Sequence, residues 1–200
     1  LGIILGAILL ITVNIAGKFG NPFLAFHHAA FQVGSIITTT GYSTVDFNTW
    51  PTFSKTVLVL LMLIGASAGS TGGGIKVSRI VILAKSVKKE LKQYLHPHSI
   101  SKIKMDGKPV EHEVVRSINV FLIAYLLIYA VSMLIVSLDN FDFTTTFTSV
   151  AATINNIGPG LDLVGPAANF GILSVPSKLV LIFDMLAGRL EIFPLLLLFV

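Results

Sequence analysis

"SIITTTGYSTVDF", residues 35–47, is a small, polar, β-branched run set between two long apolar segments, in a region almost free of charge. Three consecutive threonines weaken a helix, and Gly41 weakens it further. The surroundings make this stretch decisive. The chain is 54% hydrophobic and 12% charged, with a mean hydropathy of +0.85, whereas soluble domains carry roughly 25% charged residues. Residues 1–17, 56–75 and 117–138 contain no charge at all. A crossing of the hydrocarbon core takes about 20 apolar residues, so the composition is that of a membrane chain. Irregular backbone at membrane depth survives only when it is buried in protein or lines a watery cavity.

Working outward, residues 1–16 read as a transmembrane helix ended by Gly17, Lys18 and Gly20. It lacks the basic start and the small-residue cleavage site of a signal peptide. Asn21-Pro22 then supplies an N-cap and a proline at the first helical position. The helix expected over residues 22–37 is too short to cross comfortably, and it runs straight into the threonine knot. After Trp50 and Pro51, residues 52–64 form a second apolar helix. It dissolves into "GASAGSTGGGIK", residues 65–76, with five glycines. Helix is expected to resume over residues 77–94, followed by a polar linker with a turn signal at Asp106-Gly107.

The same order then recurs. Residues 114–138 read as a span, residues 142–154 as a short threonine-rich helix, "NNIGPG" at 155–160 as a second knot, and residues 177–200 as another apolar helix. "SKTVLVLLMLIG" at 54–65 aligns without gaps with "SKLVLIFDMLAG" at 177–188. Seven of the twelve positions are identical, at an offset of 123 residues. Internal duplication in a membrane protein commonly puts the functional site at the repeat interface. The chain starts without Met inside one apolar run and ends inside another, and is expected to be a fragment of a longer protein.

Each knot comes after a half-helix whose C-terminal end carries roughly half a negative charge. Each then offers backbone carbonyls from compact residues: Thr38, Thr39, Thr40, Gly41 and Tyr42 in one strip, Asn155, Asn156, Ile157, Gly158 and Pro159 in the other. Neither strip contains a cationic side chain. Stacked carbonyls of this kind can replace the water shell of a potassium ion.

With "TTTGYS", "GASAGSTGGGIK", "NNIGPGL" and "MLAGRLEIFP" in this order, the sequence resembles the Trk/Ktr/HKT superfamily of potassium transporters, most closely its TrkH branch. The resemblance covers essentially all 200 residues. It implies an all-α membrane protein of two span–pore-helix–span repeats with re-entrant pore loops, half of a four-repeat pseudo-fourfold pore. Residues 1–94 would be the third repeat, 95–113 a cytoplasmic linker and 114–200 the fourth repeat. K⁺ is the implied transported ion, with no cofactor, and Thr39, Thr40, Asn156 and Ile157 are the expected K⁺-binding positions. "NNIGPG" departs from the threonine-glycine pattern, so the carry-over rests on glycines and backbone. The resemblance also implies an inner-membrane homodimer gated by a cytoplasmic, TrkA-like nucleotide-binding subunit.

For the glycine-rich stretch, with Gly65, Gly69, Gly72, Gly73, Gly74 and Lys76, the residues alone allow a flexible kink. The resemblance favours an intramembrane gate beneath the filter. A phosphate loop is disfavoured, since Ile75 separates Gly74 from Lys76 and Val77 replaces the magnesium-binding hydroxyl. Arg189 lies in an apolar helix with Asp184 and Glu191, and an intramembrane charge should face protein or water. Either a buried ion pair or a positive charge in the ion path fits, and the resemblance supports the second. His27 and His28 lack carboxylate or cysteine company and read as packing or hydrogen-bonding residues.

The absence of cysteine excludes disulfides and thiol chemistry, and no nucleophile–base or paired-carboxylate arrangement points to an enzyme. Most of the positive charge, Lys85, Lys88, Lys89, Lys92, Lys102, Lys104, Lys108 and Arg116, falls in one stretch that the positive-inside rule makes cytoplasmic. It abuts spans and has no interleaved aromatics, so nucleic acid is not an expected partner. It is a candidate docking area for the regulatory subunit, and equally a simple determinant of topology. Alternatives to potassium uptake are a sodium-conducting or sodium-coupled relative and a non-transporting membrane scaffold.

Overall fold

The computed structural model describes residues 1–67, 69, 70, 72–96, 103–105 and 107–189. Among the described residues, seven α-helices carry the fold: α1 (Gly2–Phe19), α2 (Pro22–Ile37), α3 (Thr52–Ile64), α4 (Val77–Leu95), α5 (His112–Val136), α6 (Phe143–Ile154) and α7 (Val175–Arg189). α1 runs through Gly17 and Lys18 and stops at Gly20, which takes the left-handed conformation at φ 62°. A lone glycine followed by lysine costs too little to end an apolar helix. The residue that can reverse the backbone ends it.

Asn21 caps α2, its side chain accepting from the Phe23 amide at 2.9 Å. Asp142 caps α6 by accepting from the Thr145 amide at 3.0 Å and its hydroxyl at 2.5 Å. With 16 and 12 residues, these helices are about 24 and about 18 Å long at 1.5 Å per residue. Both fall short of the roughly 30 Å hydrocarbon core. α6 buries a row of hydroxyl groups that return to their own helix. Thr148, Ser149 and Thr153 donate to the carbonyls four residues back at 2.7, 2.7 and 2.8 Å. A threonine-rich helix is thereby made apolar enough to be enclosed.

Each half packs around its own short helix. Ile11, Ile15, Val33, Ile36, Leu58 and Met62 join α1, α2 and α3. Phe121, Tyr125, Val150, Ile154 and Leu181 join α5, α6 and α7. One polar contact ties the flanking helices of each half: Ser54 Oγ donates to Asn14 Oδ1 at 2.7 Å, and Ser132 Oγ to Asp184 Oδ1 at 2.7 Å. Leu5, Leu9, Leu10 and Val13 of α1, and Leu126, Leu127 and Leu134 of α5, point outward. That is the surface lipid requires. Asn48 clamps one half to the other by donating to the Asp162 carbonyl at 3.0 Å and accepting from its amide at 2.9 Å.

Further details differ from the sequence reading, among them the start of α7 at Val175 rather than 177. The linker is not purely irregular, because Lys104 pairs with Pro109 and Met105 with Lys108 in a small antiparallel hairpin. Gly107 turns it at φ 79°. α5 begins at His112 rather than 114, since its polar first turn continues the span into the headgroup region. The expected continuation of α7 past residue 189, including Glu191, lies outside the described residues, as do Asp106, Ala68 and Thr71.

Candidate ion-path site

Both knots begin where a short helix ends, and both end it in the same way. Thr38 and Asn155 close the helices at φ −88° and −94°, each with ψ 0°. The next residues, Thr39 and Asn156, are left-handed at φ 59° and 55°. Their amides reach Ile36 and Thr153 at 3.1 and 2.9 Å. The following amides, of Thr40 and Ile157, reach Ser35 and Ala152 at 2.9 and 2.8 Å. This is the paired bonding of a Schellman motif, built twice at an offset of 117 residues. Left-handed backbone is unusual for non-glycine residues and an outlier for a β-branched one such as Thr39. Gly41 and Gly158 then turn again, at φ 79° and 111°.

The consequence is chemical. The Schellman bonds use up the amides, while the carbonyls of residues 38–41 and 155–159 accept no hydrogen bond from the described residues. The Tyr42 carbonyl differs, accepting from Ser35 Oγ at 2.5 Å, and the Tyr42 ring is exposed. The strips meet: a Cβ on Gly41 would overlap the Ile157 carbonyl oxygen and lie 3.1 Å from Pro159 Cδ. Thr39, Thr40, Asn156, Ile157 and Gly158 line one cavity of about 630 Å³.

The glycine-rich segment lies directly against the strips. A Cβ on Gly72 would sit 2.9 Å from Thr39 Oγ1, and one on Gly73 would sit 2.5 Å from the Asn155 carbonyl oxygen. Only glycine allows this approach. The segment is also pinched at its base, where the Val77 amide donates to the Ala66 carbonyl at 3.0 Å and the Gly65 and Gly74 backbones touch. The described residues at the two ends of the segment are therefore brought together. Behind it is a second cavity of about 270 Å³, lined among others by Ser70, Gly72, Gly74, Lys76, Arg79, Tyr125 and Arg189. Gly69 has open space around it.

Arg189 therefore stands at the cavity beneath the loop, but Asp184 does not orient it. The Asp184 carboxylate is buried, accepts from Ser132, and its second oxygen has no hydrogen-bond partner among the described residues. Five residues along a helix turn it about 140°, so the two side chains leave α7 on different faces. His28 Nδ1 pairs with Thr44 Oγ1 at 2.9 Å, and its ring contacts Phe19 and His27, in line with the packing expectation.

Three residues at this site are not singled out by the sequence motifs. Tyr125 donates to Asn155 Oδ1 at 3.1 Å. Phe121 stacks near Tyr125 and carries the Arg79 guanidinium 4.0 Å above its ring centroid. The signal that could have found them is the spacing Phe121, Tyr125, Tyr129, an aromatic stripe at one-turn intervals along α5.

The fold and this site define a helical membrane protein in which two short helices end in irregular strips that line a common cavity. The family model of the cation transport protein TrkH matches residues 21–200, and the chain belongs to that family, one of transporters and not of enzymes. The Trk system potassium uptake protein TrkH of Vibrio parahaemolyticus is 44% identical over 181 residues, covering 90% of this chain and 37% of the relative. Its counterpart in Escherichia coli K12 is 40% identical over the same coverage. TrkG of that organism is 38% identical over 175 residues, covering 88% of this chain and 36% of the relative. The crystal structure of the potassium transporter TrkH from Vibrio parahaemolyticus superposes with a TM-score of 0.87 at 40% identity, covering 99% of this chain and 42% of that one. The chain thus spans little more than a third of the length of these curated relatives.

Proposed function

We propose that the chain supplies half of the ion path of a potassium uptake transporter of the cytoplasmic (inner) membrane. Its two halves, 1–94 and 114–200, are then the third and fourth of four pore repeats, joined by the cytoplasmic linker 95–113. The observation that carries this reading is the twice-built Schellman turn. Two strips that begin with the same Schellman turn approach one another at the negative ends of two short helices, with carbonyls that accept no hydrogen bond from the described residues. A dehydrated K⁺ needs oxygen ligands in place of its water shell, and Thr39, Thr40, Asn156 and Ile157 provide them. The glycine loop, touching both strips, acts as the gate. Arg189 acts as a positive charge in the path below it. The name shared by the relatives, potassium uptake protein, supports K⁺ as the cargo.

The partners follow from the family resemblance: a second copy of the protein, and a cytoplasmic, TrkA-like nucleotide-binding subunit. α4 suits that docking role, since it continues from the loop into a basic end carrying Lys85, Lys88, Lys89 and Lys92. The hairpin is tied to it by Lys85 Nζ donating to the Lys104 carbonyl at 2.7 Å. The test is flux in liposomes containing the complete protein, with and without the partner. K⁺ entry well above Na⁺ entry supports the reading. Preferential Na⁺ entry assigns the strips to a sodium-conducting relative, and no flux of either ion leaves a scaffold.

A further inference from the structure

The second strip is held from two directions, and the first is not. Thr38 and Asn155, the corresponding helix-closing residues, each return a bond to the carbonyl four residues back: Thr38 Oγ1 to Gly34 at 2.7 Å, Asn155 Nδ2 to Ala151 at 2.7 Å. Thr38 spends its remaining capacity locally, on Thr40 Oγ1 at 2.8 Å. Asn155 instead turns Oδ1 toward α5 and receives the Tyr125 hydroxyl. The amide orientation is fixed, because the Ala151 carbonyl can only accept. Both Asn155 and Tyr125 are buried, so neither bond is replaced by bulk water when broken.

The same asparagine is the platform for the loop. A Cβ on Gly73 would meet its carbonyl oxygen at 2.5 Å, and one on Gly74 its Oδ1 at 3.0 Å. One turn earlier on α5, Phe121 lies 6.3 Å from the Tyr125 ring, near parallel to it. Arg79, three residues into α4, stacks on Phe121. α4 is therefore connected to Asn155 by two physical routes. One passes back through the loop backbone, and the other passes through Arg79, Phe121 and Tyr125.

We propose that Tyr125 is a positioning residue for the second carbonyl strip, and that the Arg79–Phe121–Tyr125–Asn155 contact chain couples the position of α4 to the geometry of that strip. This rests on the reading of the strips as an ion filter. A shift of α4 that lifts Arg79 from Phe121 removes one restraint on the Phe121–Tyr125 stack. The Asn155 side chain then loses its outer anchor, while the loop above Gly74 loses the surface on which it rests. Strip and loop therefore change together.

The test uses the complete protein in liposomes. Tyr125→Phe keeps the ring and its packing but removes the hydroxyl, leaving Asn155 Oδ1 buried without its donor. K⁺ over Na⁺ discrimination should fall about three- to tenfold, the range that loss of one buried hydrogen bond commands. Phe121→Leu removes the cation–π platform at similar bulk and should reduce the dependence of flux on the cytoplasmic partner. If the two act along one route, the double variant departs from the product of the single effects by about threefold or more. A folded Tyr125→Phe protein with unchanged discrimination and partner dependence overturns the positioning role, and additive effects overturn the coupling. Should Tyr125→Phe fold poorly, unaltered partner dependence in Phe121→Leu suffices to overturn the coupling. Gly158→Ala is the control. If it also leaves discrimination untouched, the assignment of the strips as a filter has failed. If it alone changes discrimination, only the role of Tyr125 has.

Discussion

The two glycines of the proposed filter, Gly41 and Gly158, should not be equally sensitive, and the difference can be worked from their surroundings. Gly158 sits at φ 111° with nothing within 4 Å of the point where a Cβ would stand, whereas Gly41 sits at φ 79° against the Ile157 carbonyl. An alanine at Gly158 meets backbone strain alone, on the order of 1–3 kcal/mol. An alanine at Gly41 meets similar strain and also overlaps the Ile157 oxygen, with the carbonyl carbon 3.2 Å away. That oxygen must retreat by on the order of 1 Å to regain an ordinary C···O contact. It belongs to the opposite strip, at a position proposed to bind K⁺. Gly41→Ala therefore damages both strips and Gly158→Ala one.

The assay is paired K⁺ and Na⁺ uptake into liposomes containing each variant of the complete protein, with a melting temperature measured on the same preparation. Gly41→Ala is expected to lower K⁺ over Na⁺ preference at least about tenfold, which corresponds to about 1.4 kcal/mol. Gly158→Ala is expected to lower it less. A Gly158→Ala defect equal to or larger than that of Gly41→Ala, in folded protein, would refute the argument that contact between the strips sets the outcome.

Three further outcomes are expected. Gly73→Ala places a methyl 2.5 Å from the Asn155 carbonyl oxygen, so the loop must withdraw and K⁺ flux should rise and depend less on the partner; low, fully partner-dependent flux in folded protein would remove the gate. Arg189→Ala should alter K⁺ conduction per folded molecule with little loss of yield, whereas a purely structural arginine would give lost yield and normal flux. Asp184→Leu, which copies the residue at the matching repeat position (Leu61), should leave the melting temperature unchanged or raise it, because a carboxylate with one bond in an apolar interface is costly to bury; a loss near 2 kcal/mol, the scale of a hydrogen bond to a charged group, would reveal that the carboxylate is better satisfied than its contacts indicate.

Much of the architecture was legible because membrane depth enforces strong local signals. The cap Asn21-Pro22 marks the start of the first short helix, and the bounds 22–37 and 52–64 are those observed. The loop and both strips stand out as polar interruptions of apolar sequence. Their closeness was not legible, since it depends on packing between distant segments: Gly41 against Ile157, Gly73 against Asn155. Nor was the shared Schellman geometry visible, because Thr39 occupies a left-handed position where sequence rules lead one to expect glycine or asparagine. Tyr125 and Phe121 were hidden for a different reason. In an apolar span an aromatic residue reads as lipid-facing or core, and only the partner across the interface reveals that its hydroxyl is used.

At the last position of the internal repeat, Gly65 and Gly188 correspond, yet they behave differently. Gly65 ends α3 at φ 69°, while Gly188 remains helical within α7. The two glycines are chemically identical, so the difference comes from the residues after them. Gly65 precedes Ala-Ser-Ala-Gly-Ser, with further glycines, and each glycine in a helix costs about 1 kcal/mol relative to alanine. Gly188 precedes Arg-Leu-Glu, all good helix formers. In the first half the glycine therefore opens a loop that reaches the strips. In the second it stays in register and lets α7 close onto the end of α6, where any Cβ would overlap the Ile154 carbonyl oxygen. Under the proposed function, one half then contributes the gating loop and the other the surface against which it rests, with Asn155 as the point of contact. If the loop gates as proposed, it needs such a surface, and a glycine that keeps α7 helical and pressed against α6 provides it.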